Sequence, residues 1–275
     1  MDNEHTGFGE TARPFLCMLA SGSKGNAIYV SDGSTAVLFD AGLSGIEIQR
    51  RMQQQGLDPH RLDAIVVSHE HSDHIQGVGV LSRRFHLPVY ISARTNTVAA
   101  SLGTLHGVTH FECGRPFRIR DMKIRPFSIS HDAIDPAGFT IGLDGQKIGI
   151  ATDLGIATGM VKTHLQDCST LILEANHDMD MLINGPYPWP LKQRIKGRTG
   201  HLSNTDTGRL LQELAHRRLR NIVLAHLSET NNSPEKARET VAAALPQMAD
   251  RLLIAAQHES SAPIFLDDHS GSTKR

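Results

Sequence analysis

Ala64-Ile65-Val66-Val67-Ser68-His69-Glu70-His71-Ser72-Asp73-His74 runs from a short apolar stretch straight into a knot of histidines and acids. The stretch is β-branched and brief, which predicts a buried strand over 64–68. His69 and His71 are two residues apart, so extended backbone points both to one side, where they can grip one ion. Asp73 and His74 follow as the chain turns into a helix predicted over 75–85. That turn redirects them towards a neighbouring position. A polar turn that happens to contain three histidines is the plainer explanation, but H-x-H-x-D-H is a specific spacing.

The same arrangement recurs elsewhere among the 16 histidines. Pro126-Phe127-Ser128-Ile129-Ser130 ends in His131, Ile148-Gly149-Ile150-Ala151-Thr152 in Asp153, and Asn221-Ile222-Val223-Leu224-Ala225 in His226. Four strands thus finish on a possible ligand, at the kind of sheet edge where sites form. Further strands are predicted over 15–21, 27–31, 36–40, 88–92, 138–143, 170–175 and 252–257, with Asp144-Gly145 as a two-residue hairpin turn. Helices are predicted over 46–55, 96–102, 159–167, 204–220 and 234–245, the last opened by Ser233 as N-cap and Pro234 at the first helical position. Strands with interspersed helices, and strands near both ends, point to two packed sheets with helices outside. This is an α/β (α+β) chain in a four-layer αββα sandwich. No linker, low-complexity block or long repeat divides it, so 1–275 reads as a single domain with its core at about 15–257. Residues 179–200 and the tail from about 267 read as irregular.

Composition narrows the function classes. With 39% hydrophobic and 21% charged residues the chain can bury a sizeable core, and a formal charge of −1 leaves no whole-protein field to attract nucleic acid or membrane. No apolar run reaches the roughly 18 residues of a membrane span, and residues 1–13 lack the apolar centre of a signal peptide, so a cytoplasmic protein with no membrane partner is expected. The three cysteines, Cys17, Cys113 and Cys168, are odd in number and sit beside apolar residues, as small core side chains do.

Asp40 within Phe39-Asp40-Ala41-Gly42, the His69–His74 loop, His131, Asp153 and His226 occur in the order of the five motifs of the metallo-β-lactamase fold, and the chain resembles that family. Position by position, the resemblance implies that His69, His71 and His131 bind one divalent ion and Asp73, His74 and His226 a second. Asp153 bridges the two, and Asp40 orients the loop from behind. Nitrogen and oxygen ligands without a thiolate suit Zn²⁺, Mn²⁺ or Fe²⁺ and do not choose among them.

Two such ions about 3.5–4 Å apart can hold a hydroxide between them and clamp the oxygens of a phosphodiester. The same fold also cleaves lactams, thioesters and lactones, so the substrate must be argued from other residues. Ser21, Ser23 and Asn26, in the glycine-containing loop Ser21-Gly22-Ser23-Lys24-Gly25-Asn26, can present donors to an anion, although a plain β-turn explains the loop as well. Its S-G-S-x-G-N spelling is similar to one branch of the family. His201, Ser203 and Asn204 open the helix predicted over 204–220, where an N-cap and an anion seat are compatible readings. Glu174 ends a predicted strand as the ligands do. A carboxylate there can pair with an arginine, or can orient His201 and keep it protonated for a leaving oxygen, as in the family's phosphodiesterases. In that second role Glu174→Gln and His201→Ala each cut turnover while leaving the metal in place.

The segment 179–200 carries Tyr187, Trp189, Lys192, Arg194, Lys196 and Arg198 with no acid after Asp180. Cations beside rings suit a nucleic-acid strand, and a solvated basic loop is the bland alternative. Gly185-Pro186-Tyr187-Pro188-Trp189-Pro190, Gly200-His201-Leu202-Ser203-Asn204 and Ala225-His226-Leu227-Ser228-Glu229-Thr230-Asn231-Asn232 are similar to the YycJ/WalJ/VicX-type exonuclease branch. Together with the metal motifs the likeness covers about 15–257. It implies a nucleic-acid substrate, most readily DNA, digested from 5′ to 3′ in a repair setting. The 73 positions from Asp153 to His226 are too few for an inserted β-CASP domain. Rival readings are a small-molecule phosphodiesterase acting on cyclic or nucleotide phosphates, a glyoxalase II-like thioesterase or lactonase, and a non-catalytic binding module.

Overall fold

Burial alternates along the first strand: Leu16 and Met18 enter one core cluster while Cys17 and Leu19 enter another. A strand with both faces buried must lie in a sheet covered on both sides. The structure, a computed structural model, describes residues 13–143 and 145–266. Its first sheet holds β1 (Phe15–Ala20), β2 (Ala27–Ser31), β3 (Ala36–Phe39), β4 (Ala64–Val66), β5 (Pro88–Ser92) and β6 (Gly107–Phe111). The second holds β7 (Phe117–Ile119), β8 (Met122–Ser128), β9 (Ala137–Leu143), β10 (Gln146–Ala151), β11 (Thr170–Glu174), β12 (Asn221–Ala225) and β13 (Leu252–Ile254), and β14 (Ile264–Phe265) crosses back to pair with β1.

Each sheet has an antiparallel part and a parallel part. Strands β1 to β3 are antiparallel and β3 to β6 parallel. Likewise β7 to β10 are antiparallel and β10 to β13 parallel. The consequence for function is directional. Strands β3 and β4 end on one edge of the first sheet, and β8, β10, β11 and β12 all end on one edge of the second.

The sheets face each other across a core that includes Leu16, Val37, Phe39, Phe139, Ile148, Ile150 and Val223, and the rings of Phe39 and Phe139 meet at 5.4 Å across it. Helices α1 (Gly45–Gln54), α2 (Ser72–Ile75), α3 (Val78–Phe85) and α4 (Ala93–Val98) belong to the first half of the chain. Helices α5 (Gly159–Leu165), α6 (Met179–Asn184), α7 (Trp189–Ile195), α8 (Asn204–Leu214) and α9 (Pro234–Ala244) belong to the second. Two outer clusters seat helices on sheets: Ile48, Met52 and Leu81 against the first, and Leu210, Leu211 and Val241 against the second. Three apolar layers make four layers of structure, as expected from the sequence.

Several boundaries differ from expectation for physical reasons. The helix expected over 75–85 is split, because the Gly77 amide donates to the Ala41 carbonyl at 2.7 Å instead of continuing the helical ladder. Segment 179–200, expected to be irregular, contains α6, capped by the Asp178 side chain, and α7, which has Pro190 in its first turn. Both are too short to show a readable period, and the intervening prolines disguise them. Helix α8 stops at Leu214 because Ala215 is extended, not at 220. Strands β6, β7 and β14 were unanticipated: all three are edge or end strands with little apolar alternation. Asp144, half of the expected hairpin turn, lies outside the described residues, but Leu143 pairs with Gln146 and Gly145 adopts φ 78°. The tail from 267 also lies outside them. Cys17 and Cys168 are buried, Cys113 is half-buried, and all three thiols are free. Among the described residues no helix is long and apolar enough to cross a membrane.

Candidate metal centre

At the ends of β3, β10 and β12 the chain turns on a non-glycine residue in left-handed conformation: Asp40 (φ 58°), Asp153 (φ 56°) and His226 (φ 55°). Such a conformation is uncommon outside glycine, and Asp and His bear it better than most residues. It ends the ladder abruptly and places each side chain at the strand's end. The register Glu174↔Ala225 aligns the ends of β11 and β12, and Ala151↔Leu173 aligns β10 with them.

His69 Nε2, His71 Nδ1 and His131 Nε2 converge, with His71 Nδ1 lying 3.1 Å from the first and 3.3 Å from the second. A tetrahedral ion with metal–nitrogen bonds of roughly 2.0–2.1 Å needs its nitrogens about 3.3 Å apart, and this face has that size. Beside it, Asp73 Oδ2 lies 3.6 Å from both His74 Nε2 and His226 Nε2. Asp153 reaches both groups: Oδ2 is 3.2 Å from His74 Nε2, while Oδ1 is 3.4 Å from His226 Nε2 and 3.9 Å from His131 Nε2. Asp153 Oδ2 and His226 Nε2 are buried and lack any hydrogen-bond partner. Buried polar atoms without partners are costly, and a divalent cation would satisfy them. Every expected metal ligand therefore falls in a group whose donor atoms lie within 4.8 Å of one another, and the residues fit divalent cations.

The ring orientations follow from what each far nitrogen meets, which also assigns the tautomers. His74 Nδ1 donates to Asp40 Oδ2 at 2.7 Å. Ser68 donates its hydroxyl to the same oxygen and takes the Nδ1 proton of His69 at 2.9 Å. His131 Nδ1 donates to the Gly200 carbonyl at 3.3 Å, and His226 Nδ1 to Glu174 Oε1 at 2.8 Å. Four imidazoles thus present Nε2 inward. Asp40 Oδ2 thus accepts from both Ser68 and His74. Ser68 was missed, because a serine before a histidine carries no signal of its own.

Glu174 is fully buried and all its acceptor sites are used. Oε1 accepts from His201 Nδ1 and His226 Nδ1, each at 2.8 Å, and Oε2 from the amides of Leu154 and Leu202 at 2.8 and 3.0 Å. Burial pushes its pKa up, but the two histidines outweigh burial and hold it at about 2. His201 is the mirror case: burial lowers its pKa, while the adjacent carboxylate raises it above the ordinary histidine value. The expected Glu174–His201 pair is present, with no arginine on the carboxylate. One carboxylate serves both a candidate ligand and a candidate proton donor, so Glu174→Gln should disturb metal as well as turnover, unlike the earlier expectation.

The other expected substrate residues divide. Ser21, Asn26, Ser203 and Asn204 are buried and face into the protein. Ser21 Oγ accepts from the His226 amide at 2.7 Å, steadying its left-handed turn. Asn26 Nδ2 lies 3.3 Å from Asp73 Oδ2 and 3.1 Å from His74 Nε2. Ser203 caps α8 by accepting from the Asp206 amide, and Asn204 bonds Asn232. These four are engaged inside the protein instead of standing free for an anion. Ser23, Arg194 and Lys196 are exposed, Arg194 in a 2.6 Å ion pair with Asp132 and Lys196 over the Trp189 ring at 5.1 Å. Lys192 is buried and donates to the Ile183 and Gly185 carbonyls, a structural role that removes it from the basic face.

Nearby, His177 is buried with both ring nitrogens unpaired, and burial pushes its pKa down to about 4. Glu70, inside the histidine loop, accepts from the Ile134 amide and so ties that loop to the one after His131.

Residues 35–226 match the family model described as the beta-lactamase superfamily domain. The chain is 36% identical over 233 residues to exodeoxyribonuclease YycJ of Bacillus anthracis, an overlap of 84% of this chain and 88% of that one. It is 37% identical over 235 residues to exodeoxyribonuclease WalJ of Streptococcus pneumoniae, covering 84% and 87%. The crystal structure of the metallo-beta-lactamase fold protein YhfI from Bacillus subtilis superposes with a TM-score of 0.71 at 16% identity, covering 90% of this chain and 99% of that one.

Proposed function

The chain belongs to the beta-lactamase superfamily and is a metal-dependent hydrolase, and from that premise we propose that it is a dinuclear-metal exodeoxyribonuclease, acting as one cytoplasmic domain on DNA from 5′ to 3′. The observation that carries the phosphodiester part is the Glu174–His201 pair beside the ligand cluster, with His201 Nδ1 held at 2.8 Å and His201 one-fifth exposed at the site's edge. The relatives named as exodeoxyribonucleases support the nucleic-acid part.

His69, His71 and His131 would hold one ion, Asp73, His74 and His226 the other, with Asp153 shared. When bound, the ions supply Lewis acidity that ionises water near neutral pH and neutralises charge on phosphate oxygens. The rest is done by the chain. Glu174 keeps the Nδ1 proton of His201 in place, which leaves Nε2 facing outward. Because the carboxylate also stabilises the imidazolium, Nε2 carries a second proton that it gives to the departing oxygen of the phosphodiester. Asp40, Ser68, Asn26 and Ser21 hold the ligand set rigid, so it need not reorganise during turnover.

A small-molecule phosphodiesterase is the second reading, favoured by one observation: Arg194 is already paired with Asp132 and Lys192 is buried, so the basic segment is weaker than its spelling suggests. The test incubates Mn²⁺-loaded protein with end-labelled DNA and RNA, single- and double-stranded, with Asp73→Asn as control. Stepwise mononucleotide release from the 5′ end of DNA is expected, with affinity falling steeply as salt rises. Cleavage confined to a chromogenic phosphodiester, insensitive to salt, would leave the second reading standing.

A further inference from the structure

A cavity of about 370 Å³ opens beside the centre, between α5, α7 and α8. It flanks the site: its wall includes Gly155, two residues after Asp153, and Leu202, the residue after His201. Two residues of chain span at most about 8 Å between Cα atoms. We propose that this cavity is a nucleotide-binding subsite that seats the DNA strand next to the bond being cleaved, with the base and sugar on its apolar floor and the phosphates on its cationic rim. The proposal rests on the nuclease reading above and assigns it a second set of contacts.

Three observations carry it. First, the lining combines two chemistries. Half-buried Ile156 and Ala157 supply apolar surface above the buried Leu202 and Leu210, while Lys162, Lys196, Arg198 and Arg209 outnumber Asp206 and Glu213 on the rim. An apolar floor under a cationic rim matches a nucleotide, which has a flat apolar face and a charged backbone. Second, the wall nearest the metals is fixed. Ser130 Oγ donates to the Arg198 carbonyl at 2.8 Å, and the Asp132 amide donates to Thr199 at 3.1 Å. A Cβ at Gly155 would lie 2.3 Å from the Arg198 carbonyl, so glycine there lets this strap close against the site. Third, the rim cations are held loosely. Lys162 pairs with Glu213 at 2.7 Å and Arg209 with Asp206 at 3.4 Å, both near solvent. Exposed pairs of this kind are weak and can be exchanged for phosphate.

The test uses the metal-loaded full chain with Lys162→Ala, Arg198→Ala and Arg209→Ala combined, alongside Glu213→Gln. Binding of a fluorescent single-stranded oligonucleotide is read by anisotropy across a salt series, and kcat/KM is measured on DNA and on bis(p-nitrophenyl) phosphate. The triple variant should weaken oligonucleotide binding at least tenfold and lower the log–log salt slope by about 2, since each lost phosphate contact on a single strand removes roughly 0.7. Its DNA to bis(p-nitrophenyl) phosphate ratio of kcat/KM should fall by a similar factor. Glu213→Gln should tighten binding severalfold by freeing Lys162. If wild-type protein binds and cleaves DNA but both variants keep its affinity and slope, the subsite is wrong and the nuclease reading survives. If wild-type protein neither binds nor cleaves DNA, both fall together.

Discussion

The first sheet delivers its candidate ligands within six consecutive residues, His69 to His74, whereas the second delivers His131, Asp153 and His226 from three separate strand ends. The first half of the site is a property of one loop. The second exists only if β8, β10 and β12 are correctly ordered and end at the same edge. Local spacing builds one, topology the other, and Glu174 joins the second half to His201.

The largest effect expected from breaking this comparison is at Asp153, which reaches histidines of both halves. Asp153→Ala should abolish hydrolysis, by three orders of magnitude or more, and lower metal content measured by elemental analysis. A variant with full metal and near-normal turnover would contradict the shared role. Next come Glu174→Gln and His201→Ala. Both should lower kcat by about 100-fold, in the range of general acid catalysis. Only Glu174→Gln should also weaken metal binding, by roughly 10- to 100-fold, because Glu174, unlike His201, holds the His226 ring. Equal metal affinities in the two variants would separate Glu174 from the ligand set. Asp40→Asn should weaken metal binding by a similar 10- to 100-fold through His74 while leaving His201 untouched. Its kcat at saturating metal should therefore recover more fully than that of Glu174→Gln.

The last expected effect lies outside the ligand set and concerns stability. His177 stays neutral in the fold down to about pH 4, while the free imidazole has an ordinary value of 6.5. The unfolded chain binds the proton first, so stability is full above about 6.5 and falls as pH drops towards 4. At 1.36 kcal/mol per unit the loss is on the order of 3 kcal/mol. His177→Phe should flatten the dependence of urea midpoint on pH across that window, and an unchanged slope would assign the acid sensitivity elsewhere.

Much of this is legible in the sequence. The candidate ligands stand out because His131, Asp153, His226 and the His69–His74 loop each follow an apolar run, and the layered fold follows from strands with helices interspersed and strands near both ends. The supporting roles were hidden, and the sequence points Ser21 and Asn26 to an anion instead. Ser21, Asn26 and Ser68 are residue types common in any turn, and only the fold brings Ser21 to the His226 amide, 205 positions away. The left-handed turns at Asp40, Asp153 and His226 were equally invisible, since Asp and His adopt either sign of φ according to context. Helices α6 and α7 were obscured by the prolines around them. The basic segment misled in part because charge in a sequence says nothing about pairing: Lys192 and Arg194 spend theirs on carbonyls and on Asp132.

Metal stoichiometry tests the convergence of the two halves most directly. Native mass spectrometry of Mn²⁺-loaded protein should show two ions per chain, and His131→Ala should retain one. A single ion in the wild-type protein, or two in the variant, would contradict the account.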